Sequence, residues 1–355
     1  MNIKSIRSFI KPLALKKPYT IAYNTYTDVS LVFTAIELSN GIIGLGSASP
    51  SEDVVGESPE QTLLNLETDF IQSFIGRDIR HFQQIISEVK EQFPHLPGTL
   101  AALDLALHDA FGKYLNIPIV DFYGRKINAL PTSVTIGIKS VQDTLQEAAE
   151  YAQMGFKILK IKTGLNIEED IERIAKLHDQ FQHHFTIRVD ANQGYNLQQL
   201  TQFIQSTQQY AIELIEQPTP VGEENHLLQL SDLNRKCIAG DESVKDPAAA
   251  LSFSIPPQPF GIFNIKLMKC GGIKGALEIA NIAQHASIDL FWGCNDESAL
   301  SIAAALHVAY ACKHTKYLDL DGSLDLAEDF VTGGFYIKEG SLILNDGVGL
   351  GIKGI

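Results

Sequence analysis

Read for the spacing of its apolar and polar residues, the chain changes rhythm near residue 125. Before that point strands come first and helices follow. Ile3–Ile10 and Ser30–Leu38 alternate and are rich in β-branched residues, which predicts strands. Gly41-Ile42-Ile43-Gly44 predicts the turn and return strand of a meander. Helical periods follow over about 58–75 and 80–92. A third opens near Thr99, with Leu100, Leu103, Leu107, Ala110, Phe111 and Tyr114 on one face, and Asn116-Ile117-Pro118 ends it. Strands grouped before helices predict a separate α+β domain over residues 1–125.

From 126 onward short apolar strands alternate with helical stretches. The strands are Thr132–Gly137, Ile158–Lys162, Thr186–Asp190, Ile212–Glu216, Cys237–Asp241, Gly261–Lys266, Ile288–Trp292 and Tyr317–Asp321. Repeated βα units imply a parallel sheet, and eight of them imply closure into a barrel over 126–325. The tail, 326–355, carries Gly-rich turns and the strand-like Ser341–Leu344, and is expected to return to the first domain.

Composition narrows the function. The chain has 28 basic and 42 acidic residues, a net −14, which excludes a broad nucleic-acid-binding face. With 45% hydrophobic residues it can bury a large core without disulfides. Cys237, Cys270, Cys294 and Cys312 form no C-x-x-C pair and read as reduced thiols of a cytoplasmic protein. Met1–Lys17 is basic but lacks the apolar run of about 7–15 residues that a secretory signal needs. No stretch approaches the ~20 apolar residues of a membrane span.

Polar residues at the strand ends carry the chemistry, because a barrel of this kind works at the carboxyl ends of its strands. They are Lys160 and Lys162, then Asp190, Glu216, Asp241 and Lys266, with steps of 28, 26, 25 and 25 residues from Lys162 onward. The near-constant step predicts equal height on successive strands. Any one strand-end acid could cap the next helix. Three in succession instead suit a hard divalent cation such as Mg²⁺, held by Asp190, Glu216 and Asp241. Lys160 and Lys162, two apart, share a face. Crowded and buried beside a cation, such lysines are expected to have lowered pKa values, making one a base near neutral pH. Lys162 on the second strand and Lys266 on the sixth oppose each other across a ring of eight. A substrate between them would show one face to each, which suits inversion of a carbon next to a carboxylate.

Together these motifs resemble the enolase superfamily, in its muconate-lactonizing-enzyme subgroup. The residues that carry the likeness are Leu103-Asp104-Leu105-Ala106 through Gly112-Lys113, Lys160-Ile161-Lys162-Thr163-Gly164, Val189-Asp190-Ala191-Asn192, Ile215-Glu216-Gln217-Pro218, Gly240-Asp241-Glu242-Ser243, Asn264-Ile265-Lys266 and Gly347-Val348-Gly349-Leu350-Gly351. A lysine base beside Mg²⁺ is that superfamily's general pattern. The resemblance implies an α/β barrel, a modified TIM-type (β/α)7β-like form with an α+β capping domain, and proton abstraction α to a carboxylate. Members are often oligomeric, so a homo-oligomer is compatible with it. Strand seven ends Trp292-Gly293-Cys294 without the histidine of mandelate-racemase-like members.

Within the subgroup, the resemblance is to dipeptide epimerases, whose Asp-x-Asp on strand eight binds the dipeptide ammonium. Here that motif is Asp319-Leu320-Asp321, with Asp296 a further candidate. Lys160 and Thr135 complete the expected substrate contacts. In the capping loop, Asn24 stands where Ala-Glu epimerases carry an arginine, and Tyr23 and Tyr26 flank it. This predicts neutral, apolar or aromatic dipeptides. The alternatives are an L-Ala-D/L-Glu epimerase, served by Lys16 or Lys17, an o-succinylbenzoate synthase, an N-acylamino-acid racemase, or a non-catalytic binding protein.

Overall fold

The computed structural model describes residues 1–20, 25–210 and 212–354. A three-stranded antiparallel meander, Ile3–Thr20, Thr25–Leu38 and Ile43–Ala48, opens the chain. Its first two strands run well beyond the expected ends. The third lies directly on the helix Pro97–Leu115. A Cβ on Gly44 would stand 2.4 Å from the Ala106 carbonyl, and one on Gly46 2.0 Å from that of Ala102. Glycine there, against alanines four apart, lets strand and helix backbones meet. Pro97 starts this helix and left-handed Asn116 ends it. The helix expected over 58–75 is two pieces, Pro59–Leu66 and Asp69–Gln72, because Thr68 between them is extended. The helix near 80–92 is Phe82–Gln92.

Eight parallel strands follow, all neighbours in sequence order. They are Val134–Ile136, Ile158–Lys162, Thr186–Asp190, Ile212–Glu216, Ile238–Gly240, Ile262–Ile265, Asp289–Gly293 and Thr315–Asp319. Thr132 bridges to Leu318 in parallel, bringing the first strand against the eighth. Helices follow the first seven strands. The eighth gives way to a short turn, Gly322–Leu324, so the pattern is (β/α)7β with its cap. Helix starts are locally encoded: Asn166 caps Glu168 and Glu169, and Asn196 with Gln199 forms a capping box.

The tail serves both layers. Ser341–Leu344 pairs with Phe335–Lys338 and with Leu130–Pro131 at the barrel. Asp109, on the long helix, accepts from Leu45 N and Leu350 N, each at 2.8 Å, clamping meander, helix and tail together. Gly349, at φ 65°, passes so close that a Cβ would sit 2.2 Å from Asp109 Oδ1. Phe330 packs on Phe9 and Phe33. The tail thus packs on both the cap and the barrel.

Candidate active site

The catalytic floor is set by strand register. Lys162 pairs with Asp190 and Asp190 with Glu216, so these three stand level. Glu216 pairs with Ala239, which leaves Asp241 two residues further along. Equal sequence steps therefore do not give equal height at the fifth strand. Gln217 follows Glu216 at φ 32°. Its amide oxygen accepts from Asp241 N at 2.9 Å and from Ser243 N at 3.2 Å, stitching the fourth strand end to the fifth.

Asp190, Glu216 and Asp241 are buried, and each is held by lysine. Lys162 Nζ meets Asp190 Oδ2 at 2.7 Å. Lys160 Nζ touches Asp319 closely, with Glu216 Oε2 at 3.4 Å and Asp190 Oδ2 at 3.5 Å. Lys266 Nζ lies 2.8 Å from Asp241 Oδ2, while Lys269 grips Oδ1 of the same acid. Asn264 Nδ2 donates to Glu216 Oε1 at 2.5 Å. A Cβ on Gly293 would lie 2.5 Å from Asn264 Oδ1, so glycine at the end of strand seven makes room for this amide.

These contacts also set the charge of two of the lysines. Burial disfavours the charged lysines, but Asp319, Glu216 and Asp190 around Lys160 outweigh it and raise its pKa. Lys266 is raised in the same way by Asp241 and Glu216. Carboxylates, not fellow lysines, dominate each ammonium. The acids show the complementary strain. Burial and then the Asp190 charge push Glu216 up to about 8, whereas Lys266 and Lys269 hold Asp241 below the usual range against its burial.

The donor set fits a hard divalent cation: three buried carboxylates on adjacent strands, with the Asn264 Oδ1 buried and without a partner beside them. As they stand, the acids are turned onto lysines, and among the described residues no three ligating side chains close into a cage.

A cavity of about 440 Å³ opens over this floor. Lys160, Lys162, Lys266, Asp241, Thr135, Asp296, Asp319 and Asp321 all line it. Asp319 ends the eighth strand, but Asp321 lies beyond it, so the two are not strand neighbours on one face. Their roles divide accordingly. Asp319 is taken by Lys160 and by Ser133 Oγ at 2.6 Å. Asp321 accepts from Thr135 N at 2.7 Å, and burial, then Asp319, push it up to about 7. Ser49 Oγ donates to the Asp296 carbonyl at 2.8 Å. Asn24 lies outside the described residues. Tyr26 is described only in backbone, paired with Tyr19.

Lining residues that the sequence reading missed include Lys269, Asn192, Glu242, Asp28, Glu147 and Asp325. Asn192, two after Asp190, and Lys269, one turn after Lys266, had a spacing that could have revealed them. The acids at the rim come from separate segments and left no signal in spacing. Lys16 and Lys17 do line the cavity, but Lys16 Nζ donates to the Leu324 carbonyl at 2.8 Å and Lys17 Nζ pairs with Glu150 at 2.9 Å.

Residues 5–124 match the mandelate racemase / muconate lactonizing enzyme N-terminal domain, and residues 143–354 the enolase C-terminal domain-like family. The chain belongs to the enolase superfamily. Among its superfamily relatives, the L-Lys-D/L-Arg epimerase of Desulforapulum autotrophicum is 49% identical over 355 residues, covering 100% of both chains. A hydrophobic dipeptide epimerase of Enterococcus faecalis is 33% identical, covering 99% of this chain and 100% of its own. The crystal structure of a dipeptide epimerase from Methylococcus capsulatus, complexed with Mg and the dipeptide L-Arg-D-Lys, superposes with a TM-score of 0.97 at 45% identity, covering 99% of each chain.

Proposed function

We propose that this enolase-superfamily chain is a Mg²⁺-dependent dipeptide epimerase, an isomerase that inverts the α-carbon of the C-terminal residue, and that its dipeptides carry cationic side chains. The observation that carries the chemistry is the placing of Lys162 and Lys266 on the second and sixth of eight strands, either side of three buried carboxylates. Asp190, Glu216 and Asp241 would hold the metal, which supplies positive charge against the substrate carboxylate as negative charge develops there. Lys162 takes the α-proton of one epimer: its lone pair forms the new N–H bond as the Cα–H bond breaks, and the electron pair moves into the carboxylate. Lys266, as ammonium, returns a proton to the opposite face, and the roles reverse for the other epimer. Lys160 holds substrate negative charge and is itself anchored by Asp319. Asp321 receives the dipeptide ammonium.

The preference for cationic side chains replaces the apolar one expected from the capping loop. That reading rested on Asn24 and the tyrosines near it, whose side chains lie outside the description. The cavity instead carries Asp28, Glu147, Glu150, Asp296 and Asp325 around its rim. Lys17 and Lys139 are paired with Glu150 and Glu147. An apolar side chain would leave this acidic lining desolvated and unmatched, whereas a lysine or arginine side chain meets it. The named specificity of the 49% identical relative agrees with this reading.

The test is a mass-spectrometric screen of L,L-dipeptides in D₂O with Mg²⁺. Lys-Arg and Arg-Lys types should gain deuterium at the second α-carbon faster than Leu-Tyr or Ala-Glu. No exchange with any dipeptide would overturn the activity, and faster exchange with Leu-Tyr would overturn the specificity. Lys162→Ala and Lys266→Ala should each lower net epimerisation in both directions by about 10²–10⁴-fold.

A further inference from the structure

Lys162 has two acceptors of different chemistry. One is Asp190 Oδ2 at 2.7 Å, a carboxylate of the proposed metal set, and the other is the neutral amide Oδ1 of Asn192 at 2.9 Å. An amide presents either its oxygen or its nitrogen, and what holds the far end decides which. Here Asn192 Nδ2 donates to Glu242 Oε1 at 3.3 Å, which leaves the oxygen for the lysine. Gln193 Nε2 donates to the same Glu242 oxygen at 3.4 Å.

The backbone at this point is also held with care. Asn192 and Gln193 have φ of 40° and 69°, in the left-handed region that residues with a Cβ rarely enter. Asn192 N donates to Asp190 Oδ1 at 3.0 Å, and Gln193 N to the Gln217 carbonyl at 2.7 Å, fixing the turn. Glu242 Oε2 is buried without a partner, which costs the fold stability. A costly acid, a strained turn and an oriented amide converge on one lysine. Lys266 has no counterpart: its ammonium meets Asp241, and no amide oxygen contacts it among the described residues.

We infer that Asn192, oriented by Glu242, is a positioning residue for Lys162 and not for Lys266. This rests on the two-lysine reading above. A neutral lysine amine has two N–H bonds and one lone pair. Donating one N–H to Asn192 Oδ1 limits the amine's rotation and turns the lone pair into the cavity. The two lysines are therefore aimed by different devices, and the exchange of one epimer depends on Asn192 and Glu242 while that of the other does not.

The test uses the full-length Mg²⁺-loaded enzyme and both epimers of one cationic dipeptide, L-Lys-L-Arg and L-Lys-D-Arg, in D₂O. Initial deuterium entry at the second α-carbon is read for each. Lys162→Ala and Lys266→Ala first assign an epimer to each lysine by which exchange is lost. Asn192→Leu and Glu242→Leu should then slow exchange of the Lys162 epimer by on the order of tenfold or more. Exchange of the Lys266 epimer should stay within about threefold, which also reports that the variant is folded. Glu242→Gln, whose amide oxygen can still accept from Asn192 Nδ2, should restore the Lys162 epimer's exchange. If Asn192→Leu does not fold, the Glu242→Leu and Glu242→Gln pair gives the same contrast. Equal slowing of both epimers, or of neither, overturns the inference. Wild-type enzyme that exchanges neither epimer defeats the two-lysine reading itself, and the inference with it.

Discussion

The floor and the rim of the cavity are both rich in acids, but they handle charge in opposite ways. On the floor, Asp190, Glu216 and Asp241 alternate with Lys160, Lys162, Lys266 and Lys269, and each acid touches a cation or an amide. Strand register places Lys162, Asp190 and Glu216, and the Gln217 amide fixes Asp241 beside them. At the rim, Asp325 faces Asp321, Asp296 and Glu147, and their repulsion adds to its burial. These residues come from the turn after the eighth strand, the loop after the seventh and the helix Val141–Gln153. The floor suits the metal and the proton transfers proposed above. The rim gathers acids whose mutual repulsion a cationic substrate would relieve.

The largest effect should come from disturbing the floor's charge alternation. Asp241→Asn would leave Lys266 and Lys269 facing a neutral amide and would remove a metal oxygen. Activity should fall by at least about 10²-fold and Mg²⁺ should no longer raise the melting temperature, as calorimetry with and without Mg²⁺ would read. Unchanged thermal stabilisation by Mg²⁺ would place the metal elsewhere. The corresponding rim substitution, Asp325→Asn, should leave the Mg²⁺ effect intact.

Asp321 stands between the two regions. It is buried like the floor acids but, unlike Asp319, makes no lysine ion pair among the described residues. Asp321→Asn should raise KM for a free dipeptide about 10–100-fold, the cost of losing a charged hydrogen-bond partner. The same variant should barely change KM for an N-acetylated dipeptide, which lacks the ammonium. An equal loss on both substrates would make Asp321 a structural residue that merely holds Thr135.

What was legible in the sequence divides along the same line. Strand periodicity located all eight barrel strands, and the residues at their ends include every acid and lysine of the floor except Lys269. The order of elements predicted the barrel and the separate α+β domain, and the (β/α)7β form followed from the family resemblance. Asp296 was named from the sequence, but Glu147 and Asp325 were hidden because no period connects a helix position with a turn; only tertiary folding brings them together. Asp241 shows a finer limit. Its sequence step matches its neighbours', yet it sits two residues beyond their level, because strand pairing sets Ala239, not Asp241, against Glu216. Spacing also reveals like charges on one strand but not the carboxylates that Lys160 and Lys266 meet on other strands.

The smallest predicted effect tests the rim directly through pH. Burial, then the charges of Asp321, Asp296 and Glu147, with Lys16 opposing, push Asp325 up from 3.8 to about 8. Between these values the folded protein holds a proton that the unfolded chain has released. Stability should therefore fall as pH rises from about 4 to about 8 and level off above, since the folded state binds more protons across that window. Asp325→Asn removes this contribution, so the variant should gain on the wild type in melting temperature from pH 5 to pH 8. Substrate binding should show the opposite slope. A cationic side chain needs the carboxylate, so its binding expels the proton, and affinity for Lys-Arg should rise with pH up to about 8. Affinity for a neutral dipeptide should lack that rise. Asp325→Asn should flatten the difference and lower the preference for the cationic dipeptide roughly threefold to tenfold. If the preference and its pH slope both survive the substitution, the rim's charge is relieved by Glu147, Asp296 or Asp28 instead, and the contrast between floor and rim must be drawn without Asp325.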